Sequence, residues 1–209
     1  MPKVNFVKAA AKDNRVAKKG ESYYWWSFRF GGKHMSKTPP RPSQLTQSDF
    51  LSRQMELEER IGDLKADSLE DLKSEVEEIV SEIQSLGEEQ ADKVGNLPDS
   101  LQQGPTGELL EGRASSCEDW AGELEGVDLE ADEPTDEDAS NDMDTAEPTL
   151  EDISDDDVGK DETKESVLEE RRALWAGEFE AKRKELREEY NDKLAEAIEE
   201  LQGCSYQGE

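Results

Sequence analysis

The sequence predicts a mainly α protein. It should be elongated, with coiled-coil-like helices, a small antiparallel β piece at the N-terminus and a disordered acidic linker. Three observations predict this. Apolar residues recur at helical spacing over 49–125 and again over 165–202. An aromatic run, Tyr23 to Phe30, stands directly before a glycine pair. Only 33% of the 209 residues are apolar while 38% are charged, against roughly 45–50% and 25% in ordinary domains. That composition cannot fill one large core.

The charge is divided as well as large. The chain carries 54 acidic and 25 basic side chains, a net charge of −29. Residues 1–50 hold ten Lys/Arg and three Asp/Glu, net +7, which leaves fifteen and fifty-one over 51–209, net −36. Such a reversal separates a module that meets polyanions from one that repels them, or lets the two dock on each other. No run of 18 apolar residues is present, which excludes a membrane-spanning helix. The start, MPKVNFVKAAAKDNR, lacks the apolar stretch of a signal peptide. Cys117 and Cys204 lie far apart, which suits a reducing, cytoplasmic compartment better than a disulfide scaffold.

Residues 1–38 read as a basic aromatic β module. The run Ser22 to Phe30 favours a strand. Gly31–Gly32 suits a two-residue hairpin turn, from which Lys33 to Thr38 returns antiparallel. That register sets Phe30 against Lys33, Phe28 against Met35 and Trp26 against Lys37. Tyr24, Trp26, Phe28, Phe30 and Met35 then share one face, and Tyr23, Trp25, Arg29 and His34 the other. A third strand, Val4 to Lys8, pairs beside them, with Lys18–Lys19–Gly20–Glu21 as the turn between. Two strands alone are marginal in water, so the aromatic face needs a cover. Lys18, Lys19, Arg29, Lys33 and Lys37 are the candidate phosphate-neutralising cations, with Trp25 or Trp26 stacking on bases. The competing assignment makes Tyr24, Trp26 and Phe28 the core of a miniature sheet with solvated lysines. His34, the single histidine, lacks a second ligand or nucleophile nearby and reads as structural.

The string KKGESYYWWSFRFGGKHMSKTPPRPSQLTQSDFL resembles the N-terminal segment of uncharacterised proteins from bacteria and their phages. Its core, YYWWSFRFGGKHMSKT, is similar to the arm-type DNA-binding domain of phage integrases. The first resemblance implies no function; the second implies DNA contact by the strands. The integrase catalytic tyrosine with its Arg and His partners has no counterpart, so recombinase activity is not implied.

Residues 39–48 form a Pro-rich connector, Thr38–Pro39–Pro40–Arg41–Pro42 favouring polyproline II. Residues 49–125 follow as a helical region. Phe50, Leu57, Ile61 and Leu64 predict a first helix over 49–66. Ser68-Leu-Glu-Asp71 opens a second, 68–94, as a capping box. Its residues Leu69, Leu72, Val76, Ile79, Ile83 and Leu86 step by three and four, a coiled-coil seam for a partner or a second copy. Val80 widens it, Gly87 weakens the continuation, and Gly95–Asn96–Leu97–Pro98 ends it. A third helix, 106–125, carries Leu109, Arg113, Cys117, Trp120 and Leu124 on one face, joined by Leu110 and Ala121. Cys117 there reads as a buried structural thiol.

Residues 127–164 hold seventeen acidic side chains and two lysines, too little apolar surface to offset chain entropy, and read as disordered. Asp152 to Asp161 has a calcium loop's composition without its glycine position or terminal Glu. The last helix, 165–202, places Leu168, Trp175, Phe179, Leu186, Tyr190, Ala197 and Leu201 on one stripe, with Leu194 and Ile198 adding width. Glu178–Lys182, Glu180–Lys184 and Glu189–Lys193 are its i,i+4 pairs.

No enzyme is legible: phosphate-cradling loop, metal-ligand cluster and nucleophile–base pair are all missing from the motifs. No cofactor or metal is expected. A coiled-coil adaptor or scaffold ranks first, binding a protein partner or itself through its helices and DNA or RNA through the basic module, away from membranes. The alternative is an acidic mimic of DNA that blocks a basic nucleic-acid-binding partner.

Overall fold

Three short strands assemble around the aromatic run. The computed structural model describes residues 1–143, 145–154, 157–159 and 162–208. In it β1 (Asn5–Val7), β2 (Tyr23–Ser27) and β3 (Lys33–Ser36) form one antiparallel sheet in the order β1-β2-β3. The turn into β2 falls where expected. The Glu21 amide donates to the Lys18 carbonyl at 3.0 Å. Gly20 takes φ +91° there, a conformation that glycine adopts without strain.

The hairpin register differs from the expectation. Trp25 opposes Met35, Trp26 opposes His34 and Ser27 opposes Lys33, so Phe28 to Gly32 form the loop. The Gly31 amide donates back to the Phe28 carbonyl at 3.4 Å. A Cβ on Gly31 would stand 3.1 Å from Gln47 Nε2, so this glycine is held against a neighbouring segment rather than spent in a two-residue turn. Met35 was expected opposite Phe28 and stands opposite Trp25. A shift by an odd number of residues exchanges faces. His34 therefore joins Tyr24 and Trp26, while Lys33 and Met35 join Trp25.

The chain divides into two compact units. The first comprises Met1–Leu64, Ser74–Val127 and Leu201–Glu209; the second comprises Lys65–Lys73 and Asp128–Glu200.

In the first unit the sheet precedes four helices: α1 (Asp49–Gly62), most of α2 (Leu69–Gly95), α3 (Asp99–Gln102) and α4 (Pro105–Glu125). The Pro-rich connector is no bare spacer. Pro42–Leu45 makes a 3-10 turn, Ser43 is buried, and its carbonyl accepts from Ser52 Oγ of α1 at 3.0 Å. Phe50, Leu57, Ile61 and Leu64 are buried with Val76, Ile79, Val80, Ile83 and Leu86 of α2 and Cys117, Trp120, Ala121 and Leu124 of α4. Arg53 pairs with Glu89 at 2.5 Å and Arg60 with Glu82 at 2.6 Å, fastening α1 along α2.

Three local features differ from the reading of the sequence. Gly87 does not interrupt α2, which continues to Gly95. A Cβ at Gly87 would lie 3.0 Å from Cys117 Cβ and 3.4 Å from the Ala114 carbonyl, so the residue permits a close approach of α4. The short α3 was not expected, and its end at Gln102 leaves room for no side chain at Gly107, whose Cβ would collide with the Gln102 backbone. Leu109 is exposed instead of sharing the α4 core face. The tail also contributes: the Tyr206 ring meets Phe50 at 5.8 Å and Trp120 at 6.0 Å, both edge-on.

Burial pushes the Cys117 thiol up to about 11 from an ordinary 9.0, and Tyr206 is raised by the same cause. Both groups keep their protons longer when folded. The stability they contribute is complete below the unfolded values and is lost as pH rises through the folded ones. Denaturant unfolding should therefore show stability declining from about pH 9 toward about pH 11, less steeply in Cys117→Ala. An equal slope in both proteins would contradict the assignment.

In the second unit α6 (Lys164–Gly203) supplies residues up to 200. Leu168, Tyr190, Leu194 and Ala197 are buried; Trp175, Phe179, Leu186 and Ile198 are half-buried. Tyr190 Oη accepts the Leu69 amide at 2.8 Å. The expected disorder of 127–164 gives way to local structure. A helix, α5 (Asp136–Asn141), and a 3-10 turn, Leu150–Asp152, form behind Thr135–Asp138 and Thr149–Asp152 capping boxes, and Ala139 and Ile153 are buried. Each cap hydroxyl holds its aspartate below the usual carboxylate range. Among the described residues, four carboxylates of the acidic stretch are ion-paired with cations of α6. Arg171 pairs with Asp157 at 2.7 Å, Arg172 with Glu147 at 3.4 Å, Lys182 with Asp142 at 2.7 Å and Arg183 with Asp136 at 2.9 Å. Of the expected helix pairs, Lys182 is taken by Asp142 and Glu185, and Lys184 by Glu188. Four positions of the calcium-like stretch, 155, 156, 160 and 161, lie outside the described residues.

Candidate interaction surfaces

The basic module places its cations unequally. Lys18 and Lys19 are exposed beside the Gly20 turn. The Lys18 amide donates to Glu21 Oε2 at 2.9 Å and the Lys19 amide to Asp13 Oδ1 at 2.7 Å, so carboxylates order that backbone while the ammonium groups face water. Lys37 is paired with Glu21 at 3.1 Å; the turn and the Lys37 ammonium hold this carboxyl below its usual range. An exposed pair of this kind is worth little and screens readily.

Two cations sit over rings. Lys33 Nζ lies 4.2 Å from the Trp25 ring centroid and the Arg29 guanidinium 5.3 Å from that of Phe30. Trp25 is half-buried and Phe30 is 86% exposed. Such units present a flat apolar surface and a positive charge together, as stacking on a base beside a phosphate requires. Trp26 is a correction. It is 4% exposed, packed nearly parallel to His34 at 5.6 Å, and belongs to the core of the module. One exposed aromatic went unread in the sequence: Phe6, 58% exposed, tilts against Tyr24 at 4.9 Å. Its signal was the β1 register, which sets Phe6 opposite Tyr24.

The seam residues are also reassigned. Leu72, Ile79, Ile83 and Leu86 are 0% exposed, and Leu69 and Val76 nearly so. These side chains are buried within the chain itself, so the seam is not open to a partner. Of the α6 stripe, Leu168 and Tyr190 are buried in the second unit and Leu201 in the first. Trp175 stacks on Phe179 at 5.2 Å and donates its Nε1–H to the Thr145 carbonyl at 3.0 Å, while Leu186 is half-buried.

A groove of about 600 Å³ runs between α2 and α4, floored by Gly87, Ala91 and Ala114 and edged by Glu88, Glu118 and Glu125. Among the described residues no group of His, Cys, Asp and Glu is placed to hold a metal ion. No described helix is long and apolar enough to cross a membrane.

Residues 46–102 match the family model of the HSCB C-terminal oligomerisation domain. The matched stretch takes in α1, α2 and α3. No curated protein and no solved structure matches the chain. The match points to a helical interaction module, and it falls on the part of the chain where α1 is fastened along α2.

Proposed function

We propose that this protein is a non-enzymatic cytoplasmic adaptor or scaffold: its helical part binds a protein partner or a second copy, and its basic N-terminal module contacts nucleic acid. The observation that carries the nucleic-acid part is the pair of cation–ring units, Arg29 over Phe30 and Lys33 over Trp25, within residues 1–50, which carry a net charge of +7. The oligomerisation-domain match over 46–102 supports the helical part. With the seam buried, association uses the outer faces of the helices.

The carboxylates edging the α2–α4 groove support a second reading, an acidic mimic of DNA that occupies a basic partner. The two separate in one experiment, fluorescence anisotropy of labelled DNA with the whole chain at low and at physiological ionic strength. The adaptor reading expects binding that weakens steeply with salt, because phosphate neutralisation releases counterions, and that falls several-fold in Arg29→Ala/Phe30→Ala. Absence of binding at both salt levels, with capture of a basic protein instead, would favour mimicry.

A further inference from the structure

We propose that the N-terminal module holds a nucleotide-binding cleft that takes an unstacked base with its phosphate from single-stranded nucleic acid. This rests on the nucleic-acid reading above and makes it specific. A cleft of about 730 Å³ opens between the sheet and the start of the helical region, bounded by Arg15, Trp26, Phe28, His34, Gln44 and Thr46 among others. That volume lies within the roughly 300–1,000 Å³ range of small-molecule sites.

Its chemistry sets it apart from the rest of this chain. No Asp or Glu lines it, although the chain has 54 of them. Three other clefts are each lined by at least three carboxylates, among them Glu88, Glu118 and Glu125 in one, and Asp128, Glu130 and Glu196 in another. An anion is repelled from those and admitted here.

The wall is aromatic. His34 lies 14° from parallel with Trp26, and Phe28 meets the same imidazole edge-on at 5.4 Å. The indole Nε1–H of Trp26 has no hydrogen-bond partner. Rings that stack a base without reading its sequence are the means by which single strands are held. The cation is placed by its turn: Asn14 Oδ1 accepts the Val16 and Ala17 amides, both at 2.9 Å, which fixes the backbone on either side of Arg15. The loop Phe28 to Gly32 joins the cleft to the outer surface. Phe28 and Gly32 line the cleft, and Arg29 and Phe30 between them face solvent. A base seated on His34 would leave its strand running over that loop.

The test compares single-stranded and duplex DNA with the whole chain by anisotropy, in wild type, His34→Ala and Arg15→Ala, each checked for retained helicity by circular dichroism. The single histidine also gives one set of imidazole proton signals for NMR titration. The expected result is tighter binding of the single strand, about tenfold weaker in His34→Ala, with duplex affinity unchanged and the His34 signals displaced by the oligonucleotide. Equal affinity for both strand forms, unmoved by either substitution, overturns the cleft and leaves the basic module a nucleic-acid surface. Failure to bind either form overturns the wider reading. Adenosine monophosphate then decides the cleft alone: displaced His34 signals support it as a site for a free nucleotide, and unmoved signals overturn it.

Discussion

Trp120→Ala lowers the stability of the first unit by about 4 kcal/mol, in the range of aromatic truncations in cores. Trp120 is 1% exposed, the largest of the fully buried side chains. Removing it opens a cavity beside Cys117 and Leu124 and takes away the edge-on partner of Tyr206. The neighbours are held by α2 and α4 together, so collapse into the space is limited and most of the loss is felt. Urea unfolding followed by circular dichroism measures it. Tyr206→Ala should cost less, and the double substitution should fall short of the sum by about 1 kcal/mol, the coupling of an edge-on ring pair. A loss below about 1 kcal/mol for Trp120→Ala would mean that α4 does not pack as described.

Gly87→Leu is the second large effect, a loss of about 3 kcal/mol. Helix propensity alone argues the other way: glycine inside a helix is worse than most residues by up to about 1 kcal/mol, so an isolated α2 would be strengthened. Packing decides the sign. Even a methyl at this position stands 3.0 Å from Cys117 Cβ, and that atom sits next to the α4 backbone and cannot rotate aside. A larger side chain must push α4 away from α2, exposing Val80, Ile83 and Cys117. Gly87→Ala should come out near neutral, its propensity gain offset by the contact. Stabilisation by the leucine, measured in the same urea series, would show that the helices do not approach here.

Much of the architecture is local and legible in the sequence. The apolar steps of α1, α2 and α6, the Ser68–Asp71 cap, confirmed by Ser68 Oγ accepting the Asp71 amide at 3.1 Å, and the Gly20 turn all depend on residues within one or two turns of each other. The candidate site was less legible. Trp25, Trp26 and Lys33 were legible as candidate contacts while His34 read as structural, and the faces on which all four stand depend on strand register. That register goes with a five-residue loop whose Gly31 lies close to Gln47, sixteen residues on. The Arg15 position, the Gln44 and Thr46 wall and the exposed Phe6 come from segments that no spacing rule connects.

The acidic stretch shows the same limit from the electrostatic side. Its own composition argues for disorder, since seventeen acidic groups meet two lysines within it. Cations that pair with four of them, Arg171, Arg172, Lys182 and Arg183, lie further along the chain, on α6.

The sequence by itself determined a charge-divided, mainly helical chain with three N-terminal strands, because periodicity, capping and turn chemistry act between near neighbours. Only the tertiary structure decided which apolar stripe is spent inside the chain, which face of the sheet holds His34, and where a cleft free of carboxylates opens. Those outcomes depend on contacts between residues tens of positions apart, and the identity of a residue alone carries no record of who its distant neighbours are.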